Sequence, residues 1–476
     1  MIRTILLLTA LLPMHILGQS IGHLKPYGPL PSNAQLQWHE AEFYLFVHFG
    51  PNTFTNKEWG EGNEPADAFN PSKLDCRQWC RIAKAAGAKG IIITAKHHDG
   101  FCLWPSAYST HTVKQSKWKN GKGDVLKELS EACRESDLKF GVYISPWDRN
   151  HPQYGTPEYN LVFMNMMREL FRDYGPIWEL WWDGANGEGP NGKRQEYDWT
   201  AFRNLVKELS PSTVVFSDVG PHIRWIGNEK GIAGKTNWNL LDTTGFTPGL
   251  GAPPLDTLNQ GNVNGKNWIP GECDVSIRPG WFFHETENDK VKTPEQLFDL
   301  YLKSVGRGAN FLLNVPPDTR GLIHSRDSAS LVNFRKHVTN NLLNAPRVRF
   351  DRFQFKNVAS FTLFNDRSKT VYNFLENYKE GYIRFTAKVP REINCIVLRE
   401  PVEYGQKIIS MTVTLRSTDG SEEKIPVTTV GRKRILSFPV RKVTEVMVQV
   451  TATKTNPALS EISFYLIDEK LIEKNE

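Results

Sequence analysis

Residues 90–101 read Gly90-Ile91-Ile92-Ile93-Thr94-Ala95-Lys96-His97-His98-Asp99-Gly100-Phe101. A nearly unbroken apolar run ends abruptly in an ammonium, two imidazoles and a carboxylate. A run this short, with no in–out alternation, marks a strand buried on both faces, as in a parallel sheet covered by helices. Comparable runs occupy 43–49, 140–144, 177–182, 213–217 and 310–315. Between them, 76–86, 125–136, 159–173, 199–209 and 294–305 carry apolar residues at helical spacing. Such alternation, spread over about 300 residues, predicts an α/β fold closed into a (β/α) TIM-like barrel, whose functional residues follow the strands. An open doubly wound sheet is disfavoured, because no GxGxxG follows the first strand. Residues 220–292 are rich in Gly, Asn and Pro, so irregular loops are expected to replace helices there. Past residue 345 the texture changes to short β-branched and aromatic runs divided by charged turns, among them TVYNFLE, GYIRFTAKV, NCIVLRE and TEVMVQVTAT. This predicts a C-terminal all-β sandwich. The expected division is a signal peptide over 1–18, a barrel over 19–345 and a sandwich over 346–476.

With 476 residues, 39% hydrophobic and 23% charged, the chain has the make-up of a globular protein of two domains. The net charge of +6 comes from Lys and Arg scattered among nearly as many acids, so no nucleic-acid footprint is present. Fourteen Trp is a high count. About half are expected in the core, and the rest are suited to the flat C–H faces of sugars. The N-terminus, with Arg3, the apolar stretch 5–12 and Ile16-Leu17-Gly18, reads as a cleaved signal peptide. Its apolar run is too short to span a bilayer, and no stop-transfer segment follows. Export across the inner membrane to a periplasmic or extracellular site is therefore expected. Cys76, Cys80, Cys102, Cys133, Cys273 and Cys395 are too widely spaced for a disulfide framework and complete no zinc motif.

Polar clusters fall at four successive strand ends: His48-Phe49-Gly50 with Glu58-Trp59 beyond it, Lys96 to Phe101, Tyr143 to Asp148, and Trp182-Asp183-Gly184. Glycine after Asp183 is expected to let the backbone turn and expose the carboxylate. Two reaction classes suit this set. A metal-dependent hydrolase would use His48, His97 and His98 as ligands, although barrel metal pairs more often come as His-x-His on one strand face. A glycosidase would use two carboxyl groups, with His and Trp holding the sugar, and the Trp content favours it. A glycan-binding protein without turnover is the third reading.

The strand-end motifs, together with Asn310-Phe311-Leu312-Leu313-Asn314-Val315-Pro316-Pro317, closely resemble the α-L-fucosidases of glycoside hydrolase family 29, from about residue 30 onward. Arg399-Glu400-Pro401-Val402 and Gly405-Gln406 resemble the discoidin-like domain of the branch that cuts α-1,3/1,4-linked fucose. The resemblance implies a retaining exo-α-L-fucosidase with Asp183 as nucleophile. It places the acid/base at the glutamate of Gly227-Asn228-Glu229, with Glu272 as rival, and broader linkage specificity is the alternative. His48, His97 and His98 match a clamp on fucose hydroxyls, with Glu58 and Trp59 beside them. Tyr143 matches a tyrosine near the nucleophile, and Trp281 is a candidate to pack on the sugar methyl. Arg278 is a weaker candidate. The chemistry implied needs neither cofactor nor metal. The partners implied are fucosylated oligosaccharides or glycoconjugates, and the oligomeric state is left open.

Overall fold

The computed structural model describes residues 24–248, 251–363, 366–375 and 378–472; the expected signal peptide lies outside the described residues. Eight parallel strands close into a barrel: β1 (Phe43–Val47), β2 (Gly90–Lys96), β3 (Lys139–Ile144), β4 (Glu179–Trp181), β5 (Val214–Ser217), β6 (Ile223–Trp225), β7 (Gly271–Ser276) and β8 (Asn310–Asn314). Each lies beside its neighbours in sequence, and β8 pairs with β1 to close the ring. Side chains alternate along each strand. In β1, Tyr44 and Phe46 join Trp38, Ile92, Trp181 and Phe216 inside the barrel, whereas Phe43, Leu45 and Val47 pack outward against the helices.

Helices Cys76–Ala86, Val125–Glu135, Glu158–Tyr174, Trp199–Leu209, Pro294–Lys303 and Ser325–Val338 cover the outside. Asp75, Asp124, Asp198 and Thr293 begin four of them, each side chain accepting from the amide three residues on. Each such cap contributes about 1 kcal/mol.

Sequence periodicity missed β6, and of β7 it gave only the apparent strand 273–277 inside the irregular region. β6 is three residues long and carries Arg224, while β7 carries Glu272 and Asp274. Neither is a clean apolar run: in β6 Ile223 and Trp225 face in while Arg224 faces out toward the 226–270 excursion, and in β7 Glu272 and Asp274 face the barrel interior and its mouth. As expected, loops replace helices here. Residues 218–222 join β5 directly to β6, and 226–270 form a long excursion with one short helix, Leu255–Gln260. Buried Arg224 ties this excursion down, donating to Leu258 O at 2.8 Å, to Asn237 Oδ1 at 2.9 Å and to Ile269 O.

The C-terminal part is antiparallel. A large sheet runs in the order 352–356, 382–399, 434–453, 408–417, 422–427, with 461–465 also paired to 382–399. A three-stranded sheet of 358–363, 366–374 and 458–459 packs on it. Phe374, Leu459, Ile383, Ile396, Met411 and Val448 belong to their shared core. The domain also braces the barrel's long excursion. Gln406 Oε1 accepts from Asn239 N at 2.8 Å, its Nε2 donates to Asn237 O at 3.0 Å, and Thr429 Oγ1 accepts from Asn237 N at 2.9 Å. Among the described residues, no helix is long and apolar enough to cross a membrane.

Candidate active site

At the C-terminal mouth of the barrel lies a cavity of about 160 Å³. It is lined by nine of the residues singled out from sequence: His48, Glu58, Trp59, His97, His98, Tyr143, Asp183, Glu229 and Trp281. The recess is smaller than the roughly 300–1,000 Å³ typical of drug-sized ligands and suits a single sugar ring.

Asp183 follows β4 and is partly exposed. Its Oδ2 accepts from Tyr143 Oη at 2.9 Å, and its Oδ1 from the Ala185 amide at 2.7 Å. Burial, reinforced by the Asp183 charge, raises the Tyr143 pKa far above the usual phenol value, so Tyr143 stays a donor. The Tyr143 ring stacks on Trp181 at 5.3 Å, and Trp181 stacks on Phe216 at 3.9 Å.

The histidines are buried and neutral, and two have a tautomer fixed by their neighbours. Ser145 donates its single proton to Trp147 O at 2.9 Å, so its oxygen accepts from His98 Nδ1–H at 2.8 Å. Asn314 donates through Nδ2 to Ser276 Oγ and Trp281 O, which leaves Oδ1 to accept from His48 Nδ1–H at 2.9 Å. Both imidazoles therefore present an Nε2 lone pair, an acceptor for a sugar hydroxyl. Burial holds the pKa of His48 at about 3 and that of His98 at about 4. His97 is lowered by burial and by its two neighbours, and its Nδ1 has no protein partner. Among the described residues, no group of three or more His, Cys, Asp or Glu is placed to hold a metal ion. Lys96 and Asp148, sealed from solvent with Nζ and Oδ2 3.2 Å apart, tie the loop after β2 to that after β3.

On the other wall, Glu58 grips the segment that carries Trp281. Its Oε2 accepts from Trp281 N at 2.7 Å and its Oε1 from Phe282 N at 3.2 Å, with His284 Nε2 2.6 Å away. Glu58 thus lines the pocket while holding a loop. The Trp281 ring lies 5.1 Å from His48, and its Nε1 donates to Glu229 Oε2 at 3.3 Å. Trp59 stands at the rim, 53% exposed, edge-on to His98 and Trp147.

Residues 27–341 match the α-L-fucosidase family profile. The chain belongs to the α-L-fucosidases of glycoside hydrolase family 29. It is 41% identical to Alpha-L-fucosidase 1 of Arabidopsis thaliana, over 96% of this chain and 92% of that one. A putative α-L-fucosidase from Bacteroides ovatus shares 39% identity and a TM-score of 0.81 over 94% of this chain and 75% of its own. A Ruminococcus gnavus family 29 fucosidase solved in complex with fucose shares 28% identity and a TM-score of 0.83, over 94% of this chain and 97% of its own.

Two sequence candidates lie outside the fucosidase pocket. Glu272 points into the closed barrel interior, bonded to Tyr44 Oη and accepting from Trp181 Nε1 at 2.8 Å. There it faces Glu179, whose Oε2 accepts from Trp38 Nε1 at 3.0 Å. Burial raises the pKa of both acids, and Glu272 adds to the rise at Glu179. This pair supports Trp181 from below and has no access to a glycosidic oxygen. Arg278 is sealed in a 2.9 Å ion pair with Asp327 and stacks on Phe283.

Asp274 and Phe46 line the pocket but were not singled out from sequence, and Trp181, from the strand-end run Trp181-Trp182-Asp183-Gly184, lines it too. Asp274 lies two residues beyond Glu272 on the same strand face, so strand alternation would have found it. It is buried, its Oδ1 lacks a partner, and burial and then the charges of Glu229 and Glu272 raise its pKa well above the carboxylate range. Asp218, after β5, packs its carboxyl group against Gly184, the residue after Asp183. Burial and then the Asp183 charge raise its pKa to about 6.

Proposed function

We propose that this fucosidase is an exported, retaining exo-enzyme that releases L-fucose from α-1,3/1,4-fucosylated glycans. The observation that carries the proposal is the sharing of one sugar-sized recess by Asp183, Glu229, three neutral histidines and Trp281. The Asp183 carboxylate attacks the anomeric carbon as Glu229 gives its proton to the departing glycosidic oxygen, leaving a β-fucosyl ester. Glu229 then takes a proton from water, whose oxygen displaces Asp183 and restores the α configuration. His48 and His98 accept from fucose hydroxyls through Nε2, and Tyr143 keeps Asp183 aligned. The Gly227-Asn228-Glu229 motif supports the linkage preference, and Trp59 offers an exposed face to a neighbouring sugar. The N-terminal 18 residues support export.

Glu229→Ala should depress cleavage of natural glycans far more than that of a fucoside with an activated leaving group, because only the former needs the proton. Azide should then restore turnover and yield α-fucosyl azide. Rescue in Asp274→Ala but not in Glu229→Ala would move the acid/base role to Asp274. For linkage, a Lewis trisaccharide should be cleaved much faster than 2'-fucosyllactose, and comparable rates would leave only the broader specificity.

A further inference from the structure

A second cavity, of about 460 Å³, lies between the helix Pro294–Lys303 and the C-terminal sheet and shares no lining residue with the catalytic pocket. It sits beside the start of β8, whereas the catalytic residues follow strand ends. Among the described residues, Lys235, Lys303, Arg307, Lys424, Arg434 and Arg441 line it, against two acids, Asp299 and Glu423. Both acids are engaged. Asp299 Oδ2 lies 2.7 Å from Lys303 Nζ, and Glu423 Oε2 accepts from Arg441 Nε at 2.5 Å.

Arg307 and Arg434 are held side by side by a backbone bridge, continued by Ile435 N to Gly306 O at 2.8 Å. Each gives one N–H to the 233–235 segment, Arg307 to Ala233 O at 2.6 Å and Arg434 to Lys235 O at 2.5 Å. Among the described residues, neither is within ion-pair distance of a carboxylate, although the Asp299 charge offsets part of the burial of Arg307. Arg434 is 8% exposed, and its buried Nε has no partner at all. Burial and then the Arg307 charge bring the Arg434 pKa down to about 10. Two like charges pressed together in a partly dry site carry an uncompensated cost, and a bound anion relieves it. A guanidinium offers several N–H donors in a fixed fork that matches carboxylate, sulfate and phosphate oxygens. Leu302, Ile425, Leu436, Phe438 and Pro439 supply apolar wall beside these donors, as the C–H face of a sugar requires.

We propose that this groove is a second binding site, taking the oxyanion of an acidic saccharide, a sulfate ester or a uronate carboxylate, between Arg307 and Arg434. The exposed Lys235 and Lys424 flank it. The saccharide part rests on the fucosidase reading, whereas the oxyanion part does not.

Isothermal titration of the full-length protein in low-salt buffer tests this, using sodium sulfate, a chondroitin sulfate tetrasaccharide and trigalacturonate. One or both saccharides should bind, and which one does identifies the source of the oxyanion. Affinity should fall at least tenfold in Arg434→Gln. It should also fall at least tenfold in Lys235→Ala/Lys424→Ala, whose exposed positions leave folding undisturbed. Cleavage of a small fucoside, measured in parallel, should stay unchanged in all variants, so loss of binding and loss of fucosidase activity are read separately. The proposal is overturned by no saccharide binding, by binding indifferent to these substitutions, or by binding of the sulfate ion alone. Binding that emerges only in a full-length Glu473→Gln/Glu476→Gln chain would assign the groove to the protein's own acidic terminus and overturn it equally.

Discussion

Asp183 is oriented by the Tyr143 hydroxyl on β3 and by the Ala185 amide, and the Asp218 carboxyl group packs over Gly184 beside it. A Cβ on Gly184 would lie 2.0 Å from Asp218 Oδ2 and 2.5 Å from its Cγ. Gly184→Ala must therefore push Asp218 away from the nucleophile. A folded protein with kcat at least tenfold down is expected from steady-state kinetics and a melting curve; a rate within twofold of wild type would show that Asp218 has no hold on Asp183. The sequence reading expected Gly184 to serve a backbone turn. The true reason, the approach of a residue 34 positions later, leaves no local signal. His98 gives a prediction with a definite sign. Its folded pKa of about 4 lies below the ordinary 6.5, so at pH between those values only the unfolded chain takes up its proton. The neutral buried ring thus contributes stability that is full above 6.5 and is lost as pH falls toward 4, over about 2.5 pH units at about 1.4 kcal/mol each. The stability gap between wild type and His98→Phe, from chemical denaturation, should shrink by up to about 3 kcal/mol between pH 7 and pH 4. A pH-independent gap would mean that His98 titrates alike in the folded and the unfolded chain.

The segment 280–284 behaves as one element because Glu58 collects two of its amides and the His284 ring. That grip places the Trp281 indole both beside His48 and against Glu229. In Glu58→Ala the segment loses its anchor, so KM for a fucoside should rise several-fold and kcat should fall, since the sugar face and Glu229 move together. Glu58→Gln, which keeps one acceptor oxygen, should lie between. An unchanged KM in Glu58→Ala would show that the loop holds itself. Legibility at this scale follows the physics of burial. β1–β5, β8 and five of the helices were readable to within a few residues, because they bury uniform apolar runs or stripes. β6 was not, because it is three residues long and its middle residue, Arg224, turns outward to partners in the 226–270 excursion. β7 showed only as the apparent strand 273–277, because Glu272 and Asp274 face inward to partners, or a pocket, that exist only once the barrel has closed. The site was more legible than those strands, since its histidines, Tyr143 and Asp183 stand where apolar runs end.

The barrel and the sheet domain are clamped through one carboxylate. Glu42, between the helix Asn33–Ala41 and β1, lies 2.6 Å from Lys433 Nζ, 3.5 Å from Arg399 Nη2 and 3.6 Å from Arg432 Nη2. Burial alone would raise its pKa, but these three cations more than reverse that and hold it well below the carboxylate range. Chain texture announced two domains, yet not this seam, because its charges come from positions more than 350 residues apart and, Arg399 aside, none is part of a motif. Removing one member of a buried ion pair typically costs about 3–5 kcal/mol; without Glu42, buried Lys433 loses its carboxylate, while Arg399 keeps Glu461 and Arg432 keeps Glu40. Glu42→Gln should therefore melt at a lower temperature and in two steps, as the sheet domain releases the barrel. Fucosidase activity at room temperature should be nearly intact, because Glu42 precedes β1 and the pocket follows it. The sign with pH is fixed by the lowered folded value: the clamp's contribution is full above pH 4.5 and declines as pH falls further, because the unfolded chain then takes up a proton that Glu42 in the fold does not. Calorimetry of the wild type should show one transition at pH 7 that broadens or splits below pH 4.5, while Glu42→Gln is already split at pH 7. A single transition of unchanged midpoint in Glu42→Gln would place the coupling elsewhere, in the Gln406 and Thr429 contacts to Asn237 and Asn239.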